Sequence, residues 1–214
     1  MNFHEILQGI LREARSMSVV ELLAVVFAVI SVLYARVNHI LVYPAGIVSI
    51  LLSIYIFIQD RYRLYPDAGL NGYYLVMSIY GWYHWKQKDS AQKETPITRC
   101  SRGEWGIALA WFFPIWLVLY IVLSRYHINN VPLLDSFVNA SACCGMWLLA
   151  RRKIENWLVL LVSDFFGVPL YFIKHLYLFS LLMILYLVIA VMGYRTWKRS
   201  LELPAPPAPS PVAG

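Results

Sequence analysis

Apolar runs of bilayer length alternate with short polar breaks along the 214 residues. Stretches free of Asp, Glu, Lys and Arg run 37–59, 68–85, 105–124 and 175–194, each near the ~17–25 residues that a helical span needs. The stretches at 22–35 and 136–150 are shorter; they reach span length when a charge at each end snorkels to the interface. A further apolar run, 156–173, carries a single carboxylate, Asp164. The predicted spans are therefore Val19–Ala35, Ile40–Gln59, Leu70–Trp85, Trp105–Ser124, Pro132–Ala150, Ile154–Ile173 and Leu176–Trp197. Ahead of them, Phe3, Ile6, Leu7, Ile10 and Leu11 recur at helical spacing among Glu5, Arg12, Glu13 and Arg15, which predicts an amphipathic helix over 1–17 lying in the membrane interface. The segments Asp60–Asp67 and 87–104 read as a loop and a cytoplasmic linker, and the Pro/Ala-rich 199–214 as a disordered tail.

Composition agrees with this pattern. Hydrophobic residues make up 60% and charged residues 14% of the chain, against about 25% charged in an ordinary soluble domain. With mean hydropathy +0.59, this is the profile of an all-α polytopic membrane protein. The net charge of +6 does not imply nucleic acid, because the basic residues sit in short loops. Most of them fall on the side of Arg36, the 86–104 loop, the 151–153 turn and the C-terminal end. That side is predicted to be cytoplasmic, with the N-terminus outside. The charged, amphipathic start does not read as a cleavable signal peptide. Cys100, Cys143 and Cys144 lack metal-ligand spacing.

A short repeat sets the expected architecture. The third span ends Gly81-Trp-Tyr-His-Trp85-Lys86 and the seventh Gly193-Tyr-Arg-Thr-Trp197-Lys198; the first ends Tyr34-Ala35-Arg36 and the fifth Leu149-Ala150-Arg151. Two three-helix repeats, 18–86 and 132–198, would flank the helix 105–124. An odd count per unit plus one connecting helix leaves the repeats parallel, as in transporters whose site lies between the halves. Trp85 and Trp197, beside Lys86 and Lys198, are expected to be interfacial anchors, and the five histidines are read as interfacial as well.

The sixth span is the candidate site. Trp157, Leu160, Asp164, Gly167 and Tyr171 fall on one helical face, with Gly167 expected to leave room between the larger groups. A carboxylate inside a span faces protein, water or substrate rather than lipid. Asn156, Asn139, Trp82 and Trp147 are the other candidate substrate-binding residues. No HExxH, GxSxG, P-loop or dinucleotide fingerprint is present, so no enzyme chemistry, metal or cofactor is expected.

Taken together, IENW at 154–157, Asp164, LYFIK at 170–174, VMSIYGWYHW at 76–85 and GYRTWK at 193–198 resemble the PnuC family of nicotinamide riboside transporters. The resemblance implies a 3+1+3 arrangement similar to SWEET sugar transporters, and facilitated diffusion with trapping by a cytosolic kinase. Nicotinamide riboside is a flat pyridinium cation on a ribose. Tryptophan faces attract cations, Asp164 offsets the charge, and Asn139 or Asn156 supplies hydrogen bonds. Thiamine, another planar cation, and riboflavin or deoxynucleosides carried by the wider Pnu group remain alternatives, as does a seven-span receptor or scaffold. The chain has Met146 and Leu160 where family members often carry glutamine and tryptophan. A homo-oligomer is left open.

Overall fold

The computed structural model describes residues 3–59, 65–87, 95–125 and 131–202. Among these the chain forms eight helices: α1 (Phe3–Ser16), α2 (Val19–Arg36), α3 (Val42–Ile58), α4 (Tyr65–Lys86), α5 (Arg102–Arg125), α6 (Pro132–Ala150), α7 (Asn156–Ile173) and α8 (Tyr177–Glu202). Residues 60–64, 88–94, His127 and the tail beyond 202 lie outside the described residues.

Local chemistry sets the helix ends. Ser18 and Glu21 form a capping box at α2: the Glu21 amide donates to Ser18 Oγ (3.2 Å) and the Ser18 amide to Glu21 Oε2 (2.6 Å). Ser101 and Glu104 do the same for α5, so that helix opens at Arg102 rather than Trp105. α4 opens at Tyr65 instead of Leu70; Pro66, read as a loop residue, occupies the first helical turn, where its missing N–H costs nothing. α8 continues past Trp197 to Glu202.

By length and composition, α2, α5, α6, α7 and α8 are suited to cross a membrane among the described residues, while α3 is a shorter apolar helix. α4 begins with Asp67 and Asn71 and is rich in tyrosine. The protein is a multi-pass membrane protein, and its outer surface has the character that lipid requires. Ile107, Leu109, Phe113, Leu117 and Val118 of α5 are all exposed, a contiguous apolar face that water would not tolerate. α6 is the central helix, packed against α4, α5 and α7, and α2 packs against α3 and α8. α1 docks on α8, where Glu13 accepts hydrogen bonds from the amides of Tyr177 (3.0 Å) and Leu178 (2.8 Å). Those are amides that a helix start leaves without an intrahelical partner.

The turns α2–α3 and α6–α7 are the same structure built twice. The Asn38 amide donates to Ala35 O (3.0 Å) and the Arg152 amide to Leu149 O (2.9 Å); His39 donates to Tyr34 O and Lys153 to Leu148 O; Tyr43 donates to Ile40 O and Trp157 to Ile154 O. Asn38 (φ 55°) and Arg152 (φ 53°) both take the left-handed conformation that closes the turn. Deeper in, Ser49 Oγ donates to Ala24 O (2.8 Å) and Ser163 Oγ to Val138 O (2.9 Å). All these pairs share one constant offset along the chain. It matches Ala35 with Leu149, one residue away from the Ala35–Ala150 match read from the sequence signature.

Trp85 and Trp197 are not surface anchors. They are 2% and 0% exposed and stand 6.1 Å apart at the centre of the main hydrophobic cluster. Each indole crosses to the other half: Trp85 Nε1 donates to Leu149 O (3.2 Å) and Trp197 Nε1 to Ala35 O (3.0 Å). Beside them Tyr43 lies over Gly81 and Trp157 over Gly193, where an added Cβ would come within 2.6 Å of the indole.

That contact yields a paired prediction. Gly193→Ala is expected to destabilise the protein by ~1–3 kcal/mol, the usual range for overpacking a core. Gly72→Ala, where a Cβ meets nothing within 4 Å, is expected to be neutral or stabilising because alanine favours the helix by ~1 kcal/mol. Thermal melts of the two variants in one detergent check both signs.

Candidate functional site

One end of the bundle gathers charge. Asp135, in the first turn of α6, is 6% exposed, and Lys174, at the end of α7, reaches it with an Nζ–Oδ2 distance of 2.5 Å. Asn139, one turn further along α6, donates Nδ2 to Asp135 Oδ1 at 3.0 Å and to the Asp135 carbonyl. Asp67 in the first turn of α4 lies within electrostatic reach of both Asp135 and Lys174. Tyr171 sits one turn below Lys174, whose Nζ is 5.8 Å from the ring centroid. Its phenol senses Asp135, Asp67 and Asp164 together, and its ring stacks on Phe179 of α8 at 5.7 Å.

Asp164 lies two turns deeper on α7. It is partly buried, Tyr171 and Tyr186 lie within electrostatic reach of it, and no hydrogen bond or ion pair engages it among the described residues. Tyr74 of α4 lies within electrostatic reach of Tyr171, and Tyr73 Oη donates to Cys143 O at 2.9 Å. A carboxyl group without an ion-pair partner in a low-dielectric interior, with two phenols within reach, is suited to offset an arriving cation and to hydrogen-bond polar edges.

The candidate residues thus separate. Asp164, Tyr171 and Asn139 come together at or near the charged end. Asn156 and Trp157 sit in the aromatic core at the other end, where both are almost fully enclosed, at 0% and 1% exposure. Asn156 Nδ2 donates to Lys153 O (2.6 Å), while its Oδ1 and Trp157 Nε1 are buried without a partner among the described residues. The ring of Trp157 meets Trp197 edge-on at 5.7 Å. Trp147 packs with Ala108 of α5 in a separate cluster, with the Arg151 guanidinium 5.3 Å from its ring. Trp82 borders the core and carries Lys86 over its face at 4.7 Å. Gly167 admits the Met183 side chain of α8 rather than leaving space between site groups.

Asp135, Lys174 and Asp67 escaped notice because each lies beside a span end and reads as a boundary charge. The available signal was topological. Consecutive antiparallel helices bring the start of α6 beside the end of α7, and an acid and a base at those two places are expected to meet.

Comparison with known proteins follows this geometry. The profile of the family described as nicotinamide mononucleotide transporter matches residues 18–199. The nicotinamide riboside transporter PnuC of Escherichia coli is 23% identical over 211 residues, covering 86% of this chain and 87% of that one. The riboflavin/roseoflavin transporter RibM of Streptomyces davaonensis is 22% identical over 138 residues, 63% of this chain and 65% of its own. The crystal structure of the vitamin B3 transporter PnuC superposes with a TM-score of 0.66 at 20% identity, covering 94% of this chain and 93% of that one, which shows a common fold.

Breaking the charged end has a defined cost. Lys174→Ala leaves Asp135 with its partner charge removed and is expected to lower stability by on the order of 3 kcal/mol, as for other enclosed ion pairs. Lys174→Gln combined with Asp135→Asn is expected to recover most of that loss. Thermal melts of the single and double variants measure the coupling.

Proposed function

The chain belongs to the nicotinamide mononucleotide transporter family, a family of transporters and not of enzymes, and from that premise we propose that it carries nicotinamide riboside into the cell. The ligand moves down its gradient by facilitated diffusion and is trapped inside by a cytosolic kinase. The observation that carries the choice of ligand is Asp164: a carboxylate within a membrane helix, facing Tyr171 and Tyr186 and held by no hydrogen bond among the described residues. It offsets the pyridinium charge, and the tyrosine rings give the flat cation apolar and cation–π contact. Asn139, held on Asp135 of the neighbouring helix α6, serves the carboxamide or ribose. Asn156 Oδ1 and Trp157 Nε1, buried without partners, supply further hydrogen bonds when the halves separate. Trp82 borders the aromatic core beside Trp157, and Trp147 packs against α5 in a separate cluster.

The proposed architecture is seven spans in a 3+1+3 arrangement: 18–86, the connecting helix α5 and 132–198, with the two units rocking about the site between them. The bond-for-bond repeat of the α2–α3 and α6–α7 turns supports it. The N-terminus lies outside and the C-terminus in the cytoplasm of a bacterial inner membrane. Support for that orientation comes from Arg36, Lys86, Arg102, Arg151, Arg152 and Lys153, basic residues that cluster at the tryptophan end.

Thiamine shares the planar aromatic cation and is the leading alternative ligand; the flavin carried by one relative is neutral and gains nothing from Asp164. Calorimetry of the purified protein with nicotinamide riboside, thiamine, riboflavin and a deoxynucleoside separates them. Nicotinamide riboside is expected to bind at micromolar concentration or tighter, and Asp164→Asn to weaken it at least tenfold, equivalent to ~1.4 kcal/mol, with an unchanged melting temperature. Tight thiamine binding with no nicotinamide riboside signal would overturn the ligand, and an unchanged affinity in the variant would remove Asp164 from the site.

A further inference from the structure

Residues 95–101 form an extended segment just before α5 that touches both sides of the seam between α4 and the α6–α7 turn. On the α4 side, Thr95 Oγ1 donates to His84 O (3.3 Å) and to Gln87 O (3.2 Å). On the other side, the Thr98 amide donates to Arg152 O (3.1 Å) and the Ile154 amide donates back to Thr98 O (3.0 Å), a two-bond bridge. The Cys100 amide donates to Glu155 Oε2 (2.9 Å), and Lys153 pairs with Glu104 at 2.7 Å in the first turn of α5. Between these anchors the side chain of Ile97 packs onto the cluster of Tyr43, Trp85, Trp157 and Trp197.

Arg152 ties the contacts together. It is 2% exposed, its backbone belongs to the α6–α7 turn, and its guanidinium lies 4.3 Å from the ring centroid of Trp85 on α4. The same side chain donates from Nη1 to the Thr95 carbonyl and acts electrostatically on Tyr43 of α3. A rotation of α4 against the α6–α7 turn therefore cannot proceed with the whole segment in place: the Thr95 bonds hold one side and the Thr98 and Cys100 bonds the other.

We infer that residues 95–101 are a strap that latches the tryptophan end of the bundle shut, and that the strap must leave the α6–α7 turn before ligand passes that end. This inference rests on the transport reading above and adds the element that regulates it. Thr95, Thr98 and Cys100 are only partly buried, so water can replace their hydrogen bonds and the strap is releasable. The helix packing behind it is not. The Cys100 thiol, pushed up to about 12 by burial and then by Glu155, is consistent with a seated strap.

The test locks the strap and reads it independently of any ligand. Thr98 and Lys153 are bridge partners, at a separation that a disulfide spans. In a Cys100→Ser background, Thr98→Cys with Lys153→Cys is assayed in proteoliposomes for nicotinamide riboside uptake. Oxidation is expected to reduce uptake at least tenfold and reductant to restore it; full uptake with complete cross-linking overturns the strap. Hydrogen exchange on the unmodified protein is the second arm. The Thr98 and Ile154 amides are expected to exchange together, at least tenfold faster than interior amides of α7. Exchange as slow as those helical amides overturns the inference. Absence of uptake by the unmodified protein sinks the ligand assignment instead, and the exchange arm then decides the strap alone.

Discussion

A helix end inside a membrane protein leaves carbonyls that no water can reach, and each must find a donor within the protein. In this chain the C-terminal ends of α2 and α6 solve the problem twice over: the Asn38 and Arg152 amides close the turns on Ala35 O and Leu149 O, and an indole from the other half gives each carbonyl a second donor. Trp197 reaches Ala35 O and Trp85 reaches Leu149 O. Those bonds join α8 to α2 and α4 to α6, which are also the helix pairs through which the three-helix stretches on either side of α5 pack against one another. Replacing either indole removes a second donor from a carbonyl that the Asn38 or Arg152 amide still engages, and removes the ring that fills the centre of the core. The glycines follow from this. Gly81 and Gly193 are the positions one helical turn before each tryptophan, and they let Tyr43 and Trp157 close over the pair.

Much of this was legible in the sequence, though its meaning was not. Gly81 with Trp85 and Gly193 with Trp197 stand out as a repeat, and the helix boundaries of α6 can be read to the residue. The burial of the two tryptophans could not be read, because an aromatic followed by lysine at a span end is also the signature of an interfacial anchor. What separates the two cases is whether that helix end faces lipid or another helix end, a tertiary fact. The one-residue error in matching Ala35 to Ala150 has a similar origin. The signature residues align by type, whereas the structure aligns by left-handed residues, Asn38 and Arg152, whose side chains share nothing.

The site divides in the same way. Asp164 announces itself because a lone carboxylate in an apolar run has few structural explanations. Its helical periodicity puts Tyr171 and Trp157 on the same face, each two turns away in opposite directions. The neighbours differ: Tyr171 meets the charged groups, whereas Trp157 is enclosed against Trp197 in the aromatic core, and periodicity along one helix does not show which neighbours each turn meets. Asp135, Asn139 and Lys174 form a network between two helices, and a pattern taken along one helix at a time cannot show it.

The two ends of the bundle are consequently held by different physics. At the tryptophan end, indole–carbonyl bonds, close aromatic packing and the 95–101 segment cross between the halves, and all of them are short-range and directional. At the other end the ion pair of Lys174 with Asp135 lies within α6 and α7, and Asp67 of α4 acts only at longer range, repelled by Asp135 and attracted by Lys174. Short-range contacts are lost within an ångström of displacement, whereas charge–charge attraction in a poorly screened environment decays gradually. Under the transport reading, the charged end can therefore yield by degrees while the tryptophan end opens all at once. A cation approaching Asp164 from the charged side meets a graded electrostatic entry, and its exit past the tryptophans is the step that a discrete latch controls.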